Sequence, residues 1–220
     1  MDTCYRRAYT FKRVERAPGE FQIQEISRPS ILPSFKTYQI DQISGDIKES
    51  ICRVSDQLFD DSVNSNIPTV SYELPDGQEI HVGTDRFKAP ELLFQPSLLS
   101  SYPGVKLTGK GTPASLQSLV LDSIASCDVD VRKELYASVV LTGGTSLLSG
   151  LRDRLEKELV VAGPQAAKIK VSMPINTQER RFSVWIGGSI LSSLGSFQQM
   201  WMSKKEYEEA GASLIHRKAP

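Results

Sequence analysis

At 220 residues the chain suits one large domain or two small ones. Its 26 Lys and Arg balance 26 Asp and Glu, and a formal net charge of +0 excludes attachment to nucleic acid or an anionic membrane by bulk charge. With 40% apolar and 24% charged residues it can build a packed core, which excludes wholesale disorder.

The first forty residues carry the weakest periodicity. A strand is expected around Ala8–Val14, then a turn over Glu15-Arg-Ala-Pro-Gly-Glu20 and a second strand through Phe21, Ile23 and Ile26. Pro29 and Pro33 interrupt any regular element after it, so residues 1–42 read as an irregular or edge segment. From Ile43 the pattern is helical, with Ile47, Ile51 and Val54 at i, i+4 and i+7, and Asp46 with Glu49 as a capping-box variant. Val70, Tyr72 and Leu74 alternate, Pro75-Asp76-Gly77 turns the chain, and Ile80 and Val82 alternate again, which predicts a hairpin.

Leu116, Leu119, Val120 and Ile124 predict a helix with Pro113 near its first turn. Asp130 is placed to cap a further segment, Val131–Tyr136. Val139-Val140-Leu141 reads as a short buried strand leading into Thr142-Gly143-Gly144. Leu148, Leu151, Leu155 and Leu159 then repeat through the charged run Arg152-Asp-Arg-Leu-Glu-Lys-Glu158, predicting a helix with one core face and one wet face. Ile169, Val171 and Met173 alternate as a strand, Ser183–Leu194 forms an apolar helix, and Lys204–Glu209 a short charged one. Helices and strands interleave in the second half, so the class is α/β or α+β.

Chemistry is sparse. The cysteines Cys4, Cys52 and Cys127 are widely spaced and odd in number, which suits a reducing compartment better than a disulfide framework. With His81 and His216 they form no zinc-ligand spacing, and no segment approaches the roughly 18 apolar residues of a membrane span. Gly104-Val-Lys-Leu-Thr-Gly-Lys-Gly111 imitates a phosphate loop, yet Gly111 stands where a metal-binding hydroxyl is required. Asp128 and Asp130 make an acidic pair with no third ligand nearby. No Ser nucleophile elbow or H-E-x-x-H motif is present. The better-placed feature is Gly143-Gly144, because a glycine pair between a strand and a helix lets backbone approach a ligand; taken alone, a plain tight strand–helix turn is the better explanation.

Several stretches nevertheless resemble the actin family. They are Ser71-Tyr-Glu-Leu-Pro-Asp-Gly-Gln78, Cys127-Asp-Val-Asp-Val-Arg-Lys-Glu-Leu-Tyr136, Leu141-Thr-Gly-Gly-Thr145, Ser183-Val-Trp-Ile-Gly-Gly-Ser-Ile-Leu191, Phe197-Gln-Gln-Met-Trp201 and Ser203-Lys-Lys-Glu-Tyr207 with His216-Arg-Lys218. Asp46-Ile-Lys-Glu-Ser-Ile-Cys-Arg-Val54, Asn66-Ile-Pro-Thr69 and Asn176-Thr-Gln-Glu-Arg-Arg-Phe182 are similar to a nuclear branch of that family found in chromatin-remodelling and histone-acetyltransferase complexes. Ala219 stands where the family ending usually has Cys.

The resemblance implies a partial actin/Hsp70-like ATPase fold of α/β class. Residues 43–112 would resemble part of the fourth subdomain, 113–182 the third, and 183–220 the C-terminal helices that return to the first. It implies ATP as the family's cofactor, with the two phosphate hairpins preceding the stretch covered here, so this chain alone is expected to hold none. On the adenosine side the implied residues are Lys48 and Glu49 at the adenine pocket, Gly143, Gly144 and Thr145 at ribose and phosphate, Leu147 and Leu148 beside the adenine, and Arg181 where the family has Lys. Leu191, Leu194, Ser196 and Met200 match the lining of the family's partner cleft. The implied function is an actin-like interaction subunit and not an enzyme. Its partners would be a helix of a remodelling ATPase, actin and other chromatin-complex subunits, in the nucleus and also the cytoplasm, with no sequence-specific nucleic-acid or membrane binding. The competing reading is an actin-type ATPase that self-assembles.

Overall fold

The computed structural model describes residues 11–26, 30–60, 67–102 and 113–218. They fall into two compact units, one of residues 1–139 and 148–172, the other of 140–147 and 173–220.

In the first unit, β1 (Phe11–Ala17) and β2 (Glu20–Glu25) form an antiparallel hairpin closed at Pro18-Gly19, where Gly19 has φ +86° and donates to the Glu15 carboxylate. Helix α1 (Pro33–Ile51) comes next. The two strands and the turn expected in the first segment form this hairpin, while the helix expected from Ile43 begins ten residues earlier, inside the stretch 1–42 read as irregular or edge. Pro33 starts α1 instead of breaking structure, because a helix's first position needs no N–H. Ile40, Ile43, Ile47 and Ile51 make its half-buried stripe. Asp46 sits mid-helix, so it caps nothing. Its carboxylate instead accepts a hydrogen bond from the Tyr72 hydroxyl on β3 (Val70–Glu73).

β3 and β4 (Glu79–Val82) pair antiparallel from Val70↔Val82 to Glu73↔Glu79, as the alternation predicts. Gly77 closes the turn at φ +85°, and the Arg13 guanidinium lies in the space a side chain there would need. Arg13 also donates to the Asp76 carbonyl at 3.2 Å and pairs with Glu73 at 3.4 Å, tying the two hairpins together. Helices α2 (Asp85–Glu91), α3 (Leu116–Ala125) and α4 (Val129–Ala137) succeed them along the chain. Ser115 caps α3 by accepting from the Ser118 amide. Asp128, not Asp130, caps α4.

The expected buried strand at 139–141 is only Val139–Val140 (β5), and Val140 is exposed. Helix α5 (Leu151–Ala162) is the spine of the core: Leu151, Leu155 and Leu159 are buried with Val54, Leu74, Phe94, Ile124, Tyr136 and Val171. Gly150 starts it at φ +84°, with the Val54 carbonyl only 2.9 Å from where a Cβ would stand. Strand β6 (Val171–Ser172) is shorter than the alternation suggested. Side chains of α5 serve Val171 instead of a longer ladder: Arg152 Nε donates to its carbonyl at 2.9 Å, and Glu156 accepts from its amide at 3.1 Å.

A larger correction concerns the wet face of α5. Arg154 is 1% exposed, and Glu91 at the end of α2 is 0% exposed. Arg154 donates to both Glu91 oxygens (2.8 and 3.1 Å), to Glu158 (2.7 Å) and to the carbonyls of Ser55 (2.9 Å) and Gln57 (2.7 Å). Its guanidinium stacks 4.7 Å from the Phe94 centroid. A charge can be buried here because every one of its nitrogens finds an acceptor.

In the second unit, α6 (Thr177–Ser193) begins six residues before Ser183, because Asn176 caps it by accepting from the Gln178 and Glu179 amides. The 3₁₀ turn Gly195–Met200, α7 (Lys204–Ala210), the 3₁₀ turn Ala212–Leu214 and α8 (Ile215–Lys218) complete it. Ser203 and Glu206 form a full capping box on α7, and Lys218 closes back onto Glu206 at 2.6 Å and the Trp201 carbonyl at 2.7 Å. Among the described residues no helix is long and apolar enough to cross a membrane.

Candidate functional site

The glycine turn is built within the second unit. Gly143 has φ +91°, a conformation that excludes side chains, and its amide donates to the Arg180 carbonyl on α6 at 2.8 Å. Its carbonyl accepts from the Ser146 amide (3.2 Å) and hydroxyl (2.7 Å), which winds Gly144–Leu147 into a 3₁₀ turn. A Cβ on Gly143 or Gly144 would meet nothing within 4 Å, so the backbone there is open to approach.

Arg180 secures this turn, and sequence reasoning missed it. Its guanidinium donates to the carbonyls of Pro174 (2.9 Å), Ser146 (3.4 Å) and Ile175 (3.4 Å). The signal available was an arginine in the first turns of a helix just after a proline-bearing bend. Its neighbour Arg181 is exposed, 5.7 Å from the Phe182 ring.

The structure therefore brings together Gly143, Gly144, Thr145, Leu147 and Arg181 in one unit. Thr145 and Gly144 are exposed and Leu147 is half-buried. Lys48, Glu49 and Leu148 belong to the other unit. Lys48 and Glu49 are exposed near the end of α1, and Leu148 is half-buried ahead of α5. Beside them burial pushes the Cys52 thiol pKa up, with the Lys48 charge acting the other way.

The residues expected at a partner cleft lie at the end of α6 and just after it. Leu191 occupies its last turn, while Leu194 is outside the helix, in extended conformation as its C-cap. The expected helix end at Leu194 is therefore corrected by one residue: Gly195 and the 3₁₀ turn end the helix at Ser193. Ser196 is exposed and Met200 half-buried within that turn. Leu191 and Leu194 are 45% and 49% exposed, and Val184 and Trp185 reach 82% and 74%. Among the described residues this helix leaves Val184, Trp185, Ile190 and Leu191 exposed.

The segment imitating a phosphate loop, Gly104–Gly111, lies outside the described residues. Asp128 is used as a helix cap, and no group of three metal-ligating side chains occurs among the described residues.

The glycine turn is thus held against the first turns of α6 in an interleaved α/β chain. The actin family profile matches residues 4–220, and the chain belongs to the actin family. It is 54% identical over 217 residues to Actin-related protein 4 of Arabidopsis thaliana, covering 98% of this chain and 49% of that protein. Identity is 51% over 216 residues to Actin-related protein 4 of Oryza sativa, from both subspecies indica and japonica. The chain spans about half the length of these curated relatives, 49% in each case.

Proposed function

We propose that the chain is part of an actin-type interaction subunit of nuclear chromatin-remodelling or histone-acetyltransferase assemblies, and not an ATP hydrolase. The observation that carries the reading is the exposed apolar run of α6 and its end, Val184 to Leu194, in a chain so similar to proteins named Actin-related protein 4. An amphipathic helix of a remodelling ATPase would dock on Leu191, Leu194, Ser196 and Met200, beside actin as a neighbouring subunit. Apolar anchors with a pliable Met suit helix-in-groove recognition. The division at 42, 112 and 182 into actin-like subdomain parts belongs to the same proposal, as does residence in the nucleus and also the cytoplasm.

The open glycine turn fits the family's cofactor. Within the second unit Gly143, Gly144 and Thr145 would meet ribose and phosphate, and Leu147 and Arg181 would border the adenine. When bound, ATP supplies a hydrolysable phosphoanhydride; the residues named here would hold its adenosine end and the adjoining phosphate. Arg181 can stack on a base but does not reproduce a Lys donor.

The test is Leu191→Glu in the intact protein. An exposed docking position keeps its melting temperature and loses the remodelling-ATPase helix in a binding assay with that peptide. Unchanged helix binding contradicts the docking assignment. The second reading, an actin-type ATPase that self-assembles, requires sedimenting polymer and phosphate release from ATP.

A further inference from the structure

Apolar packing does little to fix the glycine turn. Within Gly144–Leu147 only Ser146 is buried, α6 has no buried residue, and Ile175 in the bend before α6 is 95% exposed. Hydrogen bonds therefore set the shape of the turn, and Arg180 supplies them from both its backbone and its side chain. Its carbonyl accepts from the Gly143 amide at 2.8 Å. Its guanidinium reaches back to the carbonyls of Pro174 (2.9 Å), Ser146 (3.4 Å) and Ile175 (3.4 Å). Its own amide donates to the carbonyl of Asn176, the cap of α6, at 2.9 Å. One residue thus ties the bend, the start of the helix and the glycine turn within a single unit. With its amide aimed at Arg180, Gly143 stays in the left-handed region at φ +91°, and the space beside Gly143 and Gly144 stays open.

We propose that Arg180 is a positioning residue for the ribose–phosphate end of a bound nucleotide. Its donors face protein carbonyls, so it acts through the backbone of Gly143, Gly144 and Thr145 by holding it in the open form. The inference rests on the nucleotide reading given above. A glycine pair released from its anchor samples many conformations, and a ligand that has to order it binds more weakly. Arginine suits the task and lysine does not: a planar fork spreads its donors over three carbonyls, whereas an ammonium is a point charge on a flexible stem.

The experiment compares wild type, Arg180→Gln and Arg180→Lys in the intact protein. Amide hydrogen exchange at Gly143 is read without ligand, ATP affinity by calorimetry, and the melting temperature alongside. Arg180→Gln is expected to speed exchange at Gly143 and to weaken ATP binding, each about tenfold, while exchange at the far end of α6 stays as it was. Arg180→Lys should fall between, at about threefold, and it decides alone if Arg180→Gln does not fold. A role in stability only would lower the melting temperature and leave Gly143 exchange and the affinity of the folded protein unaltered; that result would overturn the proposal. Wild type that binds no ATP overturns the nucleotide reading and the positioning role with it, whereas wild-type binding that persists unchanged in both folded variants overturns the positioning role alone.

Discussion

Arg154 ties three parts of the first unit together. It joins α5 to the end of α2 and to the segment after α1, and it does so from a position 1% exposed. Burial works against its charge, but Glu91 and Glu158 outweigh that and raise its pKa above the ordinary value. Arg154→Ala leaves Glu91 buried with no counter-charge and should cost about 3–5 kcal/mol in denaturant unfolding, while Arg154→Leu with Glu91→Leu should recover most of the loss. A single-variant cost under about 1 kcal/mol would contradict the burial argument. Tyr72 gives a second residue-scale outcome. Its hydrogen bond to the Asp46 carboxylate pushes its pKa up to about 12 from 10.0. A raised folded pKa stabilises fully below the unfolded value and is lost as pH rises through the folded one. The stability difference between wild type and Tyr72→Phe should hold steady up to about pH 10 and shrink toward pH 12. A difference flat across that window would contradict the assigned bond.

At the scale of elements, α7 offers the clearest titration. Lys218 first, then the Ser203 amide and hydroxyl, hold the Glu206 carboxyl down to about 2 from 4.5. The depressed value means the cap's contribution is present above the unfolded pKa and lost as pH falls through about 2. Carboxyl NMR should find Glu206 titrating well below the other glutamates, and Lys218→Met should move it back up. An ordinary midpoint in wild type would show that the capping network does not form in solution.

The elements also show what the sequence made legible. The β3–β4 hairpin was readable because alternation and Pro75-Asp76-Gly77 say the same thing at two levels. The start of α1 was not, because Pro33 marks both helix beginnings and breaks, and Phe35 and Tyr38 blur the stripe by facing solvent. The start of α6 was missed because its first turns, Thr177 to Arg181, carry charge instead of apolar spacing. Arg154 was unreadable in principle: its burial depends on Glu91, distant in sequence, and helical spacing does not register such a pair. Of the candidate site, the Gly143–Gly144 turn was visible and its anchor Arg180 was not, since its guanidinium is held by three backbone carbonyls, which no sequence pattern marks.

At the scale of the molecule, the two units differ in kind. The first closes a core around Leu155, Leu159 and Val171. In the second, α6 has no fully buried residue, although Phe182, Val184, Trp185, Ile190, Leu191 and Leu194 are apolar. Apolar surface of that extent marks an interaction face or an association hazard. The proposed role turns on which of these it is. The most direct measurement is quantitative affinity purification of the tagged chain from nuclear extract, with the recovered subunits counted by mass spectrometry. The account predicts a remodelling ATPase and actin at near-equal stoichiometry with the chain. Recovery of the chain with itself alone, as polymer free of any remodelling subunit, would contradict it.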